Sequence, residues 1–263
     1  TPKYAGGYSG DEITVSEALN RSLNSLAAYL IKELKGPDPF RGLLADVGID
    51  TSNNRVSRSA AICLGTPNLS PFEMTGGYTI FANEGTYTEP IFIERIEDKN
   101  GNVIYTAGSN QRSDQILSEQ GAYVMNEMLQ RIQRGRLRGV KSPYGGKTGT
   151  TNFQADGWFM GITPDLVVGT WVGCDDRFIR FRSLTYGQGG RMARPIFHNI
   201  LRNLEADPTL AVDEIFNPKS RFPVPEIIER EMDCIKYDQF ADYNNSADGA
   251  SDATDNSVYA DDF

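Results

Sequence analysis

Residues 145–176 read "GGKTGTTNFQADGWFMGITPDLVVGTWVGCDD". Three runs within it, "GGKTGTT", "DGWFMGIT" and "LVVGTWVGC", are strand-like, and Pro164-Asp165 provides the turn between the last two. They predict an antiparallel group of strands. Side chains alternate across a strand, so Lys147 and Gly149 share one face and Thr148 and Thr150 the other. Lysine normally marks a solvated face, yet here it stands among glycines with no side chains to cover it. A phosphate loop is excluded, because its lysine follows a glycine-bounded loop and precedes a helix, whereas both flanks here are strand-like. Gly149 leaves room for a ligand's backbone to come close.

Upstream, the pattern is helical. "EITVSEALNRSLN" opens with a capping box of Thr14 and Glu17, predicting a short helix to about Arg21. "SLAAYLIKEL" predicts a second, with Leu26, Tyr29, Leu30 and Leu34 on one stripe and a stop at Gly36-Pro37. Ser22-Leu23-Asn24 falls at the joint, where serine and asparagine also read as helix caps. "PFRGLLADVGI" is a further short helix. In "SPFEMTGGYTIFANEG", Ser70 is the N-cap, Pro71 the first helical residue, Glu73 the capping-box partner and Gly85 the end. Gly76 and Gly77 in its middle predict close packing. "IFIERI" and "NVIY" predict a hairpin around Asn100-Gly101. "SEQGAYVMNEMLQRIQRG" returns to helix, with Val124, Met128, Leu129 and Ile132 on one face, and "RPIFHNILRNLEA" closes the series. A helix-rich first half followed by antiparallel strands and a helix is α+β.

Composition narrows the function. The chain has 263 residues, 39% of them hydrophobic, and a net charge of −9, which argues against a general nucleic-acid surface. No apolar run is long enough to span a bilayer, and no membrane contact by this segment is expected. After Lys236 there is no Lys or Arg, and residues 237–263 read as an acidic disordered tail beyond a body of residues 1–236. Cys63, Cys174 and Cys234 are far apart and show no metal-ligand spacing. His198 is the only histidine, so a histidine-built zinc site is excluded and core or groove packing is its expected role. No metal or cofactor is expected. The basic run "RIQRGRLRGVK", Arg131 to Lys141, reads first as a solvated helix end with cations at the negative pole of the dipole. Guidance of an anionic polymer is the sharper reading.

Ser22-x-Asn24 and Lys147-Thr148-Gly149 are two of the three motifs shared by penicillin-binding proteins and serine β-lactamases. From about Tyr4 to Asn203 the chain resembles the transpeptidase domain of class A, bifunctional, penicillin-binding proteins. "GYSGDEITVSEALNRSLNSLA" is similar to the family's Ser-x-Asn segment, and "LGTPNLSPFEMTGGYTIFANEGTYTEPIFIERIEDKNGNVIY" to its linker region. The residues from Gly145 to Asp176 and "GGRMARPIFHNIL" resemble its closing strands and last helix. The resemblance implies the penicillin-binding-protein and serine β-lactamase fold, a helical half plus an antiparallel sheet.

It also implies a chemistry: cross-linking of peptidoglycan stem peptides ending in D-Ala-D-Ala, through a serine acyl-enzyme that β-lactams trap. Lys147, Thr148, Gly149 and Thr150 would form the cradle for the substrate's carboxylate. The Thr150 N–H would supply half of the oxyanion hole. Ser22 would relay a proton toward the leaving amine, and Asn24 would hold the catalytic lysine and the substrate amide. One departure stands out. No serine in the 263 residues has a lysine three positions on, so Ser-x-x-Lys, which carries the nucleophile and its base, is missing. In the family that motif precedes Ser-x-Asn. The chain is therefore expected to be the C-terminal part of the domain, incomplete at its N-terminus and inactive alone. Its parent would carry an upstream glycosyltransferase domain and an N-terminal membrane anchor, and would act outside the cytoplasmic membrane. The alternatives are a D,D-carboxypeptidase or β-lactamase-like hydrolase, and a non-catalytic penicillin-binding-like module.

Overall fold

The computed structural model describes residues 13–52, 55–108, 111–207, 209, 216–226 and 228. The acidic tail and Cys234 lie outside the described residues. Helix α1 (Val15–Asn20) starts where the Thr14 hydroxyl accepts the Glu17 N–H at 3.1 Å. The Glu17 carboxylate turns onto Arg21, 2.6 Å from its Nε. The chain then reverses at Ser22, whose φ of 52° is left-handed. Helix α2 (Asn24–Glu33) has Leu23 as its N-cap and no side-chain cap bond, which corrects the capping role read for Ser22 and Asn24. The expected stripe is corrected too: Ile31 is the buried residue of α2, while Tyr29, Leu30 and Leu34 are exposed. Periodicity finds an apolar stripe, but the neighbour decides which flank is covered, and here that neighbour is the 3₁₀ turn Ala60–Leu64.

Helix α3 (Asp38–Asp46) carries Arg41, whose buried guanidinium donates to Thr51 O at 2.7 Å and to Val56 O. It thereby ties Thr51 and Val56 to α3. Helix α4 (Pro71–Ala82) begins with the predicted capping box, both halves formed between Ser70 and Glu73. Gly76 packs closely, since a Cβ there would stand 2.8 Å from Pro90 Cγ. Past the helix end, Gly85 has φ 87° and faces Leu117 O, which a Cβ would approach to 2.2 Å. Only glycine fits both demands. Ile31, Val47, Ile49, Val56, Ile62, Ile80 and Tyr87 form the core of this helical half.

Strand β1 (Thr86–Thr88) leads to the predicted hairpin, β2 (Arg95–Glu97) and β3 (Val103–Thr106). Asp98 accepts the N–H groups of Asn100 and Asn102 at 2.7 and 2.9 Å inside the turn. The first strand is shorter than expected, because Ile91, Phe92 and Ile93 lie outside it and are exposed. Strand β4 (Ser113–Gln115), which the sequence did not announce, pairs antiparallel with β1.

Helix α5 (Glu119–Gln133) buries Ala122, Tyr123, Asn126, Leu129, Ile132 and Gln133. Val124, expected on the inner face, is exposed. Strands β5 (Gly145–Thr150), β6 (Asp156–Ile162) and β7 (Val167–Gly173) form an antiparallel sheet in that order. Two short turns of helix, α6 (Leu184–Gly187) and α7 (Gly189–Met192), precede α8 (Arg194–Ala206). The sheet is sandwiched. On one face, Gly145 lies against Leu129 of α5. On the other, Phe159 of β6 packs on Phe197 of α8, ring centroids 5.1 Å apart, and Gly161 leaves space for the same ring. Small residues on the strands let the helices sit close.

Candidate active site

Strand β5 is an edge of its sheet, and the hydrogen bonds around it show which groups face outward. Thr151 N–H donates to Asp156 O at 3.1 Å, toward β6. Gly146 O accepts instead from Gln133 Nε2 at 3.1 Å, and Thr148 O from Lys147 Nζ at 3.1 Å. In an antiparallel ladder, outward and inward residues alternate. The backbone N–H and C=O of Thr150 therefore face away from β6, in step with those of Gly146 and Thr148.

Lys147 lies on the α5 face of the sheet, with Gly145 and Gly149. Its ammonium donates to the Ser22 hydroxyl at the α1–α2 joint. The left-handed backbone at Ser22 is what turns that hydroxyl toward the strand. Burial draws the Lys147 pKa down to about 8. Desolvation penalises the charged form, and its hydrogen-bond partners are a neutral hydroxyl and a carbonyl rather than a carboxylate. Asn24 is the first residue of α2, two positions from Ser22, and is exposed.

Thr148 and Thr150 lie on the opposite face, beneath α7, as the alternation predicts. The Thr150 hydroxyl accepts the N–H of Gly189 at 3.0 Å. A Cβ on Gly189 would stand 2.3 Å from Gly149 O and 2.5 Å from Trp158 O, so glycine is what lets α7 rest on the strand. Gly190 stands over Thr148 in the same way, with ordinary contact distances. The structure thus gathers Ser22, Lys147, Thr148, Gly149 and Thr150 around one strand edge, with Asn24 at the joint beside Ser22.

Sequence reasoning missed several supporting groups. Gln133 holds the outer edge at Gly146, and the Tyr144 hydroxyl donates to Gln133 O at 2.9 Å. The Glu205 carboxylate accepts from Lys141 N, Ser142 N and Ser142 Oγ, which pins the chain just before β5. Gly189-Gly190 carried a signal, a glycine pair ahead of a helix that begins at Arg194-Pro195; the polar anchors carried none. His198 bonds Arg138 O at 2.9 Å through Nε2, a groove-packing role. Arg136 Nε donates to Ile132 O at 2.6 Å, so that part of the basic run is a helix end, as first read. Cys63 and Cys174 are free thiols, and burial pushes Cys63 up from its ordinary pKa.

The sequence model of the penicillin-binding protein transpeptidase domain matches residues 3–202. The chain belongs to this family. It is similar to penicillin-binding protein 1A of Neisseria lactamica, 30% identical over 210 residues, with 77% of this chain and 26% of the relative covered. It is 33% identical over 187 residues to penicillin-binding protein 1F of Bacillus subtilis, covering 66% of this chain and 25% of that protein. The chain spans about a quarter of the length of these relatives. Among solved structures, penicillin-binding protein 1A of Haemophilus influenzae superposes with a TM-score of 0.65 at 23% identity, covering 84% of this chain and 38% of its own. Penicillin-binding protein A of Mycobacterium tuberculosis, solved as its penicillin G acyl-enzyme, gives 0.58 at 21% identity, with 76% and 51% covered. These likenesses confirm the α+β transpeptidase fold expected from the motifs.

Proposed function

We propose that this chain is the C-terminal part of a peptidoglycan D,D-transpeptidase, the segment that binds the stem peptide and completes the active site around a serine supplied from outside the chain. The observation that carries the reading is the hydrogen bond from Lys147 to Ser22, formed beside an outward-facing Thr150 N–H. It joins the two motifs of the chain into one proton path at the edge where an extended peptide can lie. An ammonium whose pKa is drawn toward neutrality is the better proton donor to the Ser22 oxygen at the moment that hydroxyl gives up its own proton. The Ser22 hydroxyl gives its own proton to the leaving amine of D-Ala-D-Ala while its oxygen takes one from Lys147, and Asn24 orients the substrate amide and the missing lysine. The N–H of Thr150 stabilises the oxyanion, and a fixed donor of this kind acts on charge that develops only in the tetrahedral intermediate. Thr148 and Thr150 offer hydroxyls to the substrate's carboxylate. β-Lactams enter the same cradle. The parent protein carries a glycosyltransferase domain upstream, is anchored in the cytoplasmic membrane and works on its outer side.

Intact-mass spectrometry with penicillin tests this. The 263-residue chain, without Ser-x-x-Lys, should form no stable adduct. The longer protein that supplies the motif should gain one acyl group on its serine. An adduct on a serine of this chain, or none on the longer protein, would overturn the reading, the second outcome favouring a non-catalytic module. Rapid release of the acyl group to water, with no transfer to an amine, would favour a hydrolase.

A further inference from the structure

The free edge of β5 is not open along its whole length. Gly145 and Gly146 are buried, Lys147 to Gly149 are half-buried, and Thr150 is exposed. The residues whose backbone faces outward are Gly146, Thr148 and Thr150. Their carbonyls are the acceptors that a ligand strand paired on this edge would use. Two of the three are already engaged. Lys147 Nζ donates to Thr148 O and Gln133 Nε2 to Gly146 O, each at 3.1 Å. Each nitrogen stands where a ligand's backbone N–H would otherwise stand. Among the described residues, the Thr150 carbonyl is the outward acceptor left open.

Gln133 is built into its place. It is the last residue of α5 and is 1% exposed. Its backbone carbonyl accepts from the Tyr144 hydroxyl at 2.9 Å and from the Arg136 N–H at 3.0 Å. The Tyr144 oxygen accepts the Leu137 N–H in turn, at 3.0 Å. Backbone and side chain are therefore both tied. Yet Gln133 Oε1 is buried and, among the described residues, has no hydrogen-bond partner. An orphaned buried acceptor costs stability. An apolar side chain would fill the space without that cost, so packing alone does not account for a glutamine. What the amide adds is the bond that pins the side chain across Gly146.

The transpeptidase reading sets how a peptide meets this edge. The scissile carbonyl lies at the Thr150 N–H and the terminal carboxylate toward Thr148. The peptide then runs antiparallel to β5, with its C-terminus pointing at Gly146. From Thr150 to Thr148 the edge advances about 7 Å, at about 3.4 Å per residue. A single residue past the scissile bond falls opposite Gly149. A longer chain would reach Thr148 O, which Lys147 occupies, and then Gly146 O, where it meets Gln133. We propose that Gln133 is a specificity-determining residue of the site, the stop at the closed end of the β5 edge, and that it restricts the site to peptides ending just past the scissile bond. The assignment rests on the transpeptidase reading. Gln133 touches no reacting atom; it acts by occupying the edge that a longer leaving segment would need.

The test uses the longer protein that supplies Ser-x-x-Lys and two synthetic donor peptides. One ends in D-Ala-D-Ala, and the other continues from there for three glycines. The quantity read is the ratio of kcat/KM for the extended donor to that for the short one, both cleaved after the first D-Ala, so a general loss of activity cancels. In wild type the short donor should be favoured roughly a hundredfold. Gln133→Ala should raise the ratio at least about tenfold. Gln133→Asn, which withdraws the amide from the edge by one carbon, should raise it too and stands in for Gln133→Ala if that protein does not fold. Gln133→Met keeps the length without the pin and should fall between wild type and Gln133→Ala. A wild type that accepts both donors equally, or shortened variants with the wild-type ratio, would overturn the proposal. So would a Gln133→Met ratio as high as that of Gln133→Ala, since a loosened strand rather than a shortened side chain would then admit the longer peptide. Penicillin acylation of wild type reports separately on the underlying reading. An adduct with an unmoved ratio removes the role of Gln133 alone; no adduct removes the transpeptidase reading and this role together.

Discussion

Lys147 and Ser22 lie 125 residues apart in the chain and are joined by a hydrogen bond from ammonium to hydroxyl. The bond spans the two halves of the molecule, since Ser22 belongs to the helical half and Lys147 to the sheet. Neither end is relaxed. The serine occupies left-handed backbone, and the lysine is desolvated without a counter-charge. Strain at both ends of one contact is the pattern of a site maintained for chemistry at some cost in stability.

Lys147→Ala should therefore slow acylation of the longer protein by penicillin by at least about tenfold, since a hydrogen bond to a charged group contributes about 1.5–3 kcal/mol. Thr151→Ala should do much less. The Thr151 hydroxyl bonds within the chain, accepting the Asp156 N–H at 3.0 Å, and does not face the free edge. Second-order acylation rates, with circular dichroism as the folding control, make the comparison. A Lys147→Ala protein that acylates at the parent rate would reduce this lysine to ordinary surface.

The same lysine should leave a mark on stability. Its pKa falls from 10.5 to about 8 on folding. Between those values the unfolded chain binds more protons than the folded one, so stability rises with pH across this window. Below pH 8 the full penalty is present; above 10.5 it is gone. Denaturant midpoints of wild type should climb between pH 8 and 10.5 relative to those of Lys147→Met. Parallel curves for the two proteins would show that Lys147 is not desolvated.

Ser22 permits a test that separates function from fold. Glycine tolerates φ 52° without the steric penalty that serine bears there. Ser22→Gly should leave stability unchanged or slightly raised and should still slow acylation by at least about tenfold. Ser22→Ala, which keeps the Cβ and loses the hydroxyl, should slow it equally. A Ser22→Gly protein that melts well below wild type would make this residue structural.

How much of this was legible beforehand depended on the kind of interaction. The α+β class, the three closing strands and the Ser70 capping box were readable because they rest on local alternation, turn residues and caps. The shared face of Thr148 and Thr150 followed from strand period alone. Which flank of a helix is buried did not. On α5, two of the inward residues are Asn126 and Gln133, and an apolar period cannot announce a polar anchor. Asn126 Nδ2 donates to Phe81 O at 2.6 Å and ties α5 to α4; Gln133 reaches the sheet edge. Likewise Ser22 reads as a cap because serines often are caps, whereas its hydroxyl here serves a partner 125 residues away. Strand β4 was illegible for a related reason: "SDQ" has no strand propensity, and its pairing with β1 is favoured by contacts such as Thr86 Oγ1 donating to Gln115 Oε1 at 2.8 Å.

The contact between Gly189 and Thr150 tests whether α7 sets the shape of the β5 edge. The Gly189 N–H has its acceptor in the Thr150 hydroxyl, and its Cα sits against two backbone carbonyls. Gly189→Ala adds a methyl that would stand 2.3 Å from Gly149 O, and backbone oxygens cannot rotate aside. Either α7 lifts or β5 bends, at a cost of about 1–3 kcal/mol. Thr150→Val keeps the shape but removes the acceptor, leaving a buried N–H unsatisfied, which costs about 1–3 kcal/mol. Thr150→Ser keeps the acceptor and should be close to wild type. Because the two positions share one contact, the double variant Gly189→Ala, Thr150→Val should lose less than the sum of the singles. Once the added methyl has lifted α7, its N–H reaches water, and loss of the hydroxyl leaves no buried donor unpaired. Urea unfolding of the four proteins measures the coupling. Strict additivity, or a Gly189→Ala protein as stable as wild type, would mean that α7 does not rest on the strand, and the Thr150 edge would then owe its shape to β6 alone.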